Sequence, residues 1–266
     1  MSSHQDYVGR TETRQDRLDA RLLQGFAATL GVSTPDALPP LWHWMFFQDW
    51  RRPGAIGPDG HPKRGGFLPP VHHLPRRMWA GGRIAFSGTI RAEDALTRLS
   101  TITAISEKSG ASGELVFVTV RHAISGPRGP VLEEEQDIVY RGAEGAAVKP
   151  APAAAPWEGA TQRAITPDAL MLFRYSALTG NGHRIHYDHP YVTREEGYPG
   201  LVVHGPLQAT WLAALAAEDG RLQRFSFRGR RPCFDGRGLT LLKRGQALET
   251  RDETGATCME AEAILG

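Results

Sequence analysis

Between Gly205 and Glu218 the chain reads GPLQATWLAALAAE, a run of strong helix formers with almost no polar face. Leu207, Trp211 and Leu215 recur at spacings of four, and alanine and leucine fill most positions between them. A helix that is apolar nearly all round must be enclosed by the rest of the fold. The segments that follow can enclose it: LQRFSFRGRRP, GLTLLKRGQALETRD and ATCMEAEAIL are extended in character. Phe225 and Phe227 alternate with Arg224, Ser226 and Arg228, and Met259, Ala261 and Ala263 alternate with Glu260 and Glu262. That period of two marks strands with one buried face. The expected unit is an antiparallel sheet wrapped around one buried helix.

The first half repeats the strands without the helix. GRIAFSGTIRA, LTRLSTITAISEK, ELVFVTVRHAIS and VLEEEQDIVYR are rich in β-branched and aromatic residues and are punctuated by SGASG and GPRGP, which favour antiparallel hairpins. At the place matching the helix stands DGHPKRGGFLPPVHHLPRRMWAGG, whose four prolines and five glycines forbid a long helix and leave room for an opening. RGAEGAAVKPAPAAAPWEGA, poor in large apolar residues, reads as a linker. The expected division is a first domain over 1–142, a linker over 143–160 and a second domain over 161–266, with an α+β fold.

Bulk properties exclude several classes. No run of about 18 apolar residues occurs and Met1–Leu22 has no apolar signal core, so neither membrane spanning nor secretion is expected. Two cysteines, Cys233 and Cys258, suit reduced thiols in a cytoplasm. A net charge of +2 with no basic run interleaved with aromatics argues against nucleic acid.

YSALTGNGHRIHYDHPY, Tyr175–Tyr191, carries the candidate chemistry: His183, His186 and His189, with Asn181 ahead and Asp188 among them. A metal site, a general base and a polar turn all use such residues. The metal reading lacks the HExxH or paired CxxC spacing, and His189 points away from any helical face that His183 and His186 share. His186 is the first candidate for a base, since imidazole takes and returns protons near neutral pH. Asn181 offers a carbonyl and two donors. Asp188 either orients His183 or His186 or caps the local turn. Gly205, followed by Pro206, opens the buried helix, so its amide has no intrahelical partner and lies at the positive end of the helix dipole.

ALTGNGHRIHYDHPYVTREEGYPGLVVHGPLQAT resembles the signature of MaoC-like, (R)-specific enoyl-CoA hydratases, A-L-[ST]-G-D-x-N-P-[IL]-H-x-D followed by [IV]-V-H-G. Ala177, Leu178, Thr179, Gly180, Ile185, His186, Asp188, Val203, His204 and Gly205 match it in order. Asn181 stands where that family has its catalytic aspartate, and His183-Arg184 replaces its Asn-Pro pair. This version looks like a subgroup that includes mitochondrial 3-hydroxyacyl thioester dehydratases and bacterial 3-methylfumaryl-CoA and itaconyl-CoA hydratases, and DGHPKRGGFLPPVHHLPRRMWAGGR looks like the first domain of the bacterial members.

The resemblance implies a double hot-dog fold, with the first domain's helix shortened or lost. It also implies reversible addition of water to an α,β-unsaturated acyl-CoA, with no cofactor beyond the CoA of the substrate and a homodimer or higher homo-oligomer. It places the catalytic histidine on His186 and the oxyanion glycine on Gly205. With an amide at 181, His186 is left to take the water proton. Tyr187, His183, His204 and Trp79 join the expected substrate contacts. Arg228, Arg230 and Arg231 are candidates for the CoA phosphates, and Arg184, then Arg77 and Arg83, for the free carboxylate of a branched dicarboxylyl substrate. The rivals are a dehydratase acting on longer uncharged acyl chains, a thioester-binding module without activity, and a thioesterase, which would need a carboxylate on the central helix before Glu218.

Overall fold

The computed structural model describes residues 4–17, 20–110, 113–142 and 150–266. In chain order the elements are β1 (Thr11–Arg17), α1 (Ala20–Leu30), β2 (Arg76–Phe86), β3 (Ala95–Gly110), β4 (Gly113–Gly126), β5 (Gly129–Arg141), β6 (Thr161–Ile165), α2 (Ala169–Thr179), α3 (His189–Arg194), α4 (Gly205–Ala217), β7 (Leu222–Gly229), β8 (Leu239–Arg244), β9 (Ala247–Asp252) and β10 (Thr257–Leu265). Residues 143–149 of the expected linker lie outside the described residues; after them the chain reaches β6 without a helix or strand.

Among the described residues ten strands form one antiparallel sheet in the order β1-β3-β4-β5-β2-β7-β10-β9-β8-β6. Each half supplies five, and the halves join edge to edge where β2 pairs with β7, from Gly81↔Arg228 to Ala85↔Arg224. The AGG of RRMWAGG, which as sequence belongs to a helix-forbidding stretch, is strand interior. A Cβ on Gly81 would lie 2.5 Å from the Phe227 carbonyl, so only glycine permits this approach of the two edges.

α4 occupies the concave face of the second half, with Leu207, Leu212 and Ala213 fully enclosed. Its few polar side chains are satisfied internally: Thr210 donates to the Pro206 carbonyl at 2.9 Å and Gln208 accepts from Thr250 at 2.6 Å. At its C-terminal end the Lys243 ammonium donates to the Leu215 carbonyl at 3.0 Å and meets Asp219 at 2.7 Å, the sign the helix dipole favours there.

The corresponding face of the first half has no such helix among the described residues. Val71 and Leu74, from the extended stretch before β2, pack there against Ile102, Val116, Val118 and Tyr140. This is the double hot-dog architecture with its first central helix lost. α1, which the sequence reading did not foresee, packs instead on α2, with Phe26 5.5 Å from the Tyr175 ring.

Candidate active site

The site is assembled at the N-terminus of α4. Asp168 caps α2 by accepting from the Met171 amide at 2.7 Å, and α2 ends at Gly180 in the left-handed region. Asn181 then makes a tight turn in which its Oδ1 accepts from the His183 amide at 3.0 Å. Only the carbonyl oxygen can fill that role, which keeps the NH2 group of Asn181 out of that bond, and the residue lines a cavity.

His186 ends a short 3₁₀ turn, Arg184–His186. Its Nδ1 lies 2.7 Å from the Val202 carbonyl, which can only accept, so Nδ1 carries the proton and Nε2 carries the lone pair. Burial pushes its pKa down to about 4, against the raising effect of that hydrogen bond. The imidazole is therefore neutral at pH 7, with its basic nitrogen available.

Behind it lies His204, wholly buried, stacked on His186 at 3.7 Å and 19°. His204 Nε2 is 2.8 Å from the Ser176 hydroxyl of α2. It lines neither large cavity, so it supports the His186 ring and is not a substrate contact, which corrects the sequence expectation.

Two cavities of about 920 and 710 Å³ meet beside Gly205, which lines both. His183, Ile185, Arg77 and Trp79 also line both, whereas His186 and Asn181 line the smaller. As the first residue of α4, Gly205 has no intrahelical acceptor for its amide. A Cβ there would meet only the Met259 methyl, at 3.8 Å.

Several expected contacts point elsewhere. Arg184 turns outward, bonding Asp188 at 2.7 Å and the Pro58 carbonyl at 2.9 Å and covering the Tyr191 ring at 4.1 Å. Asp188, besides holding Arg184, caps α3 through the Tyr191 amide at 3.1 Å; it orients neither histidine. Tyr187 is exposed and donates to the Gly182 carbonyl at 2.8 Å. Arg83 is held by Glu135 at 2.9 Å and Asp137 at 2.7 Å, and with Arg228 lines a separate hollow on the sheet; neither residue lines either of the two cavities. Arg230 and Arg231 lie beyond the end of β7 and line the larger cavity, Arg230 paired with Glu260 and Arg231 3.7 Å from Asp252.

The first half adds groups that sequence reasoning missed. Asp59 accepts from the His61 amide at 3.0 Å with one oxygen and meets His61 Nδ1 at 2.9 Å with the other. The His61 ring lies 4.1 Å from that of His183. Burial, then the neighbouring His61 and His186, push His183 down to about 2. One ligand atom each from Asp59, His61 and His183 come within 4.8 Å of one another, a grouping able to hold a metal. Arg64 and Arg77, whose charges are felt at His61, make that spot unfavourable for a cation.

The loop that delivers Asp59 is seated on the second half. Gly60 has φ +90°, and a Cβ on it would stand 1.8 Å from the Gly182 carbonyl, while the Arg184 amide donates to the Asp59 carbonyl at 2.9 Å. The signal for this juxtaposition was the polar DGH within a Pro- and Gly-rich stretch, about 120 residues from the second-half motif.

Comparison with known proteins bears on this geometry. A sequence model of the hydroxyacyl-thioester dehydratase type 2 family matches residues 41–235. A mesaconyl-C(4)-CoA hydratase of Chloroflexus aurantiacus is 45% identical over 274 aligned residues, covering 98% of this chain and 97% of its own. Among solved structures, a MaoC-like dehydratase superposes with TM-score 0.73 at 13% identity, covering 99% of both chains. A Mycobacterium tuberculosis protein with a double hot-dog fold superposes with TM-score 0.60 at 13% identity, covering 96% of this chain and 95% of its own. The two superpositions bear on the fold alone.

Proposed function

The chain belongs to the hydroxyacyl-thioester dehydratase type 2 family, and on that premise we propose that it hydrates a branched dicarboxylyl-CoA of the mesaconyl-C(4) kind, with His186 as the base. The family and the near full-length relative make it a hydro-lyase acting on CoA thioesters. The observation that carries the assignment of roles is the pairing of an unprotonated His186 Nε2 with the Gly205 amide along one cavity wall.

Addition of water places charge on the thioester oxygen as the β-carbon is attacked. With that oxygen at the Gly205 amide, the N–H and the dipole of α4 stabilise the enolate. Nε2 of His186 takes a proton from water while the oxygen bonds the β-carbon and the π electrons move toward the thioester. The same imidazolium returns the proton to the α-carbon, so atoms and charge balance. Asn181 orients the water by donating to its oxygen, a role an amide fills without accepting a proton. The thioester lies at Gly205, where the two cavities meet, and the basic mouth of the larger one, with Arg230 and Arg231, takes the CoA phosphates. The reaction needs no cofactor, the enzyme works in the cytoplasm, and homo-oligomers form as copies pair through their sheets.

Loss of the conjugated thioester absorbance, followed with mesaconyl-C(4)-CoA, crotonyl-CoA and a long-chain enoyl-CoA, tests this reading. The mesaconyl thioester is expected to be the best substrate, with the rate unchanged after dialysis against EDTA. His186→Ala is expected to lose about 10²–10⁴-fold in kcat. Near-normal turnover in that variant would remove His186 from the chemistry.

A further inference from the structure

Arg77 carries a charge that the protein leaves unanswered next to the reacting groups. On β2 it sits opposite Tyr140 of β5, and the residue lines both cavities alongside His183 and Gly205. The ion pairs of this strand go to its neighbours, Arg76 to Glu196 at 3.2 Å and Arg83 to Glu135 and Asp137. Among the described residues no carboxylate comes within bridging distance of Arg77.

Its surroundings reinforce the positive potential. Arg64 is a fixed strut, donating to the Val71 carbonyl and, at 2.6 Å, to the Pro75 carbonyl, with its guanidinium 5.0 Å from the Tyr140 ring centre. Lys63 lines both cavities as well. Of the acids that line the larger cavity with Arg77, Asp59 already commits both oxygens to His61 and Glu196 is paired with Arg76, while the half-buried His61 and His183 are held neutral. Among the described residues Arg77 and Arg64 thus line that cavity with no ion pair of their own, as a site built for one further anion requires.

We infer that Arg77, backed by Arg64, is the receptor for the free carboxylate of the substrate, and so sets the preference for dicarboxylyl over simple enoyl thioesters. This rests on the hydratase reading above. The chemistry of such a substrate agrees with the position: in a mesaconyl thioester only the two alkene carbons separate the thioester carbonyl from the free carboxylate. Its receptor has to stand beside the oxyanion donor, and Arg77 shares the junction of the two cavities with Gly205. Arg184 and Arg83, the other candidates, are tied to carboxylates outside the cavities.

The test compares wild type, Arg77→Met and Arg77→Lys on mesaconyl-C(4)-CoA and crotonyl-CoA. Arg77→Met is expected to lose about 10²-fold or more in kcat/KM on the first and less than about threefold on the second, with Lys recovering part of the loss. A binding measurement independent of turnover uses the saturated pair succinyl-CoA and butyryl-CoA. Wild type is expected to prefer succinyl-CoA, and Arg77→Met to bind the two alike. Equal losses on both enoyl thioesters in an active enzyme, or an unchanged succinyl preference in the variant, would overturn the receptor while leaving the hydratase standing. A wild type that hydrates neither thioester removes the hydratase reading itself.

Discussion

His186 combines three local facts that make it a base at an unusual operating point: a fixed tautomer, a stacked neutral partner and burial. Because the neutral form is the working form, activity is expected to persist well below the ordinary histidine range near pH 6.5. The acid limb of kcat/KM should bend near pH 4, where His186 gains its proton. A limb near 6.5 that survives substitution of every other histidine lining the cavities would contradict this. At this scale the sequence was informative where the motif itself sets direction. Asn181, His183, His186 and Gly205, all within the motif, line the cavities. It misled where a partner elsewhere decides direction. Arg83 is claimed by Glu135, its register neighbour across β2 and β5, and that pairing is not readable from the composition of either strand. Arg184 is claimed by Asp188 one helical turn on, a spacing that could have been read.

α4 was the most legible element, because an all-apolar helix has few ways to be buried. β1 and β6 were illegible for the converse reason: TETRQDR and TQRAI lie at the two edges of the sheet and contain no buried residue, so no period-two apolar signal exists. The start of α4 permits a sharp experiment on its amide. His204 has φ −59° and ψ 132°, the conformation required of a residue preceding proline, and the first helical position tolerates proline. Gly205→Pro therefore deletes the N–H while the helix remains. kcat is expected to fall about 10²–10³-fold, with far-ultraviolet circular dichroism unchanged. Gly205→Ala, which keeps the donor and meets only Met259, is expected to lose much less. Wild-type turnover in the proline variant would show that this amide does not bind the oxyanion.

On the scale of the molecule, two wrapped units could be read from the strand-rich halves, but their fusion into a single sheet through β2 and β7 could not. It depends on a non-local approach of two edges that Gly81 makes sterically possible. The loop carrying Asp59 and His61 also crosses between the halves, so half-buried ionisable groups of the first stand beside His183 of the second. This has a consequence for stability in acid. Burial holds His186 and, in the first half, His122 near pKa 4, and His183 near 2, all below the value near 6.5 expected for the unfolded chain. Above pH 6.5 both states are neutral and these groups are without effect. Below it the unfolded state binds protons that the native state refuses, and each such histidine removes about 1.4 kcal/mol per pH unit until its folded pKa is reached. The buried Glu134 acts in the same direction lower down: burial would raise its pKa, but the hydrogen bonds from His43 at 3.1 Å and Trp44 at 2.9 Å hold it near 2, so its contribution is lost as pH falls from about 4.5 toward 2. Urea midpoints are accordingly expected to be level from pH 8 to 7 and to drop steeply between pH 6.5 and 4. His122→Gln, which lies outside the site, is expected to flatten that slope by one histidine's share. Midpoints that stay level down to pH 5 would mean that these imidazoles are not held neutral inside the fold.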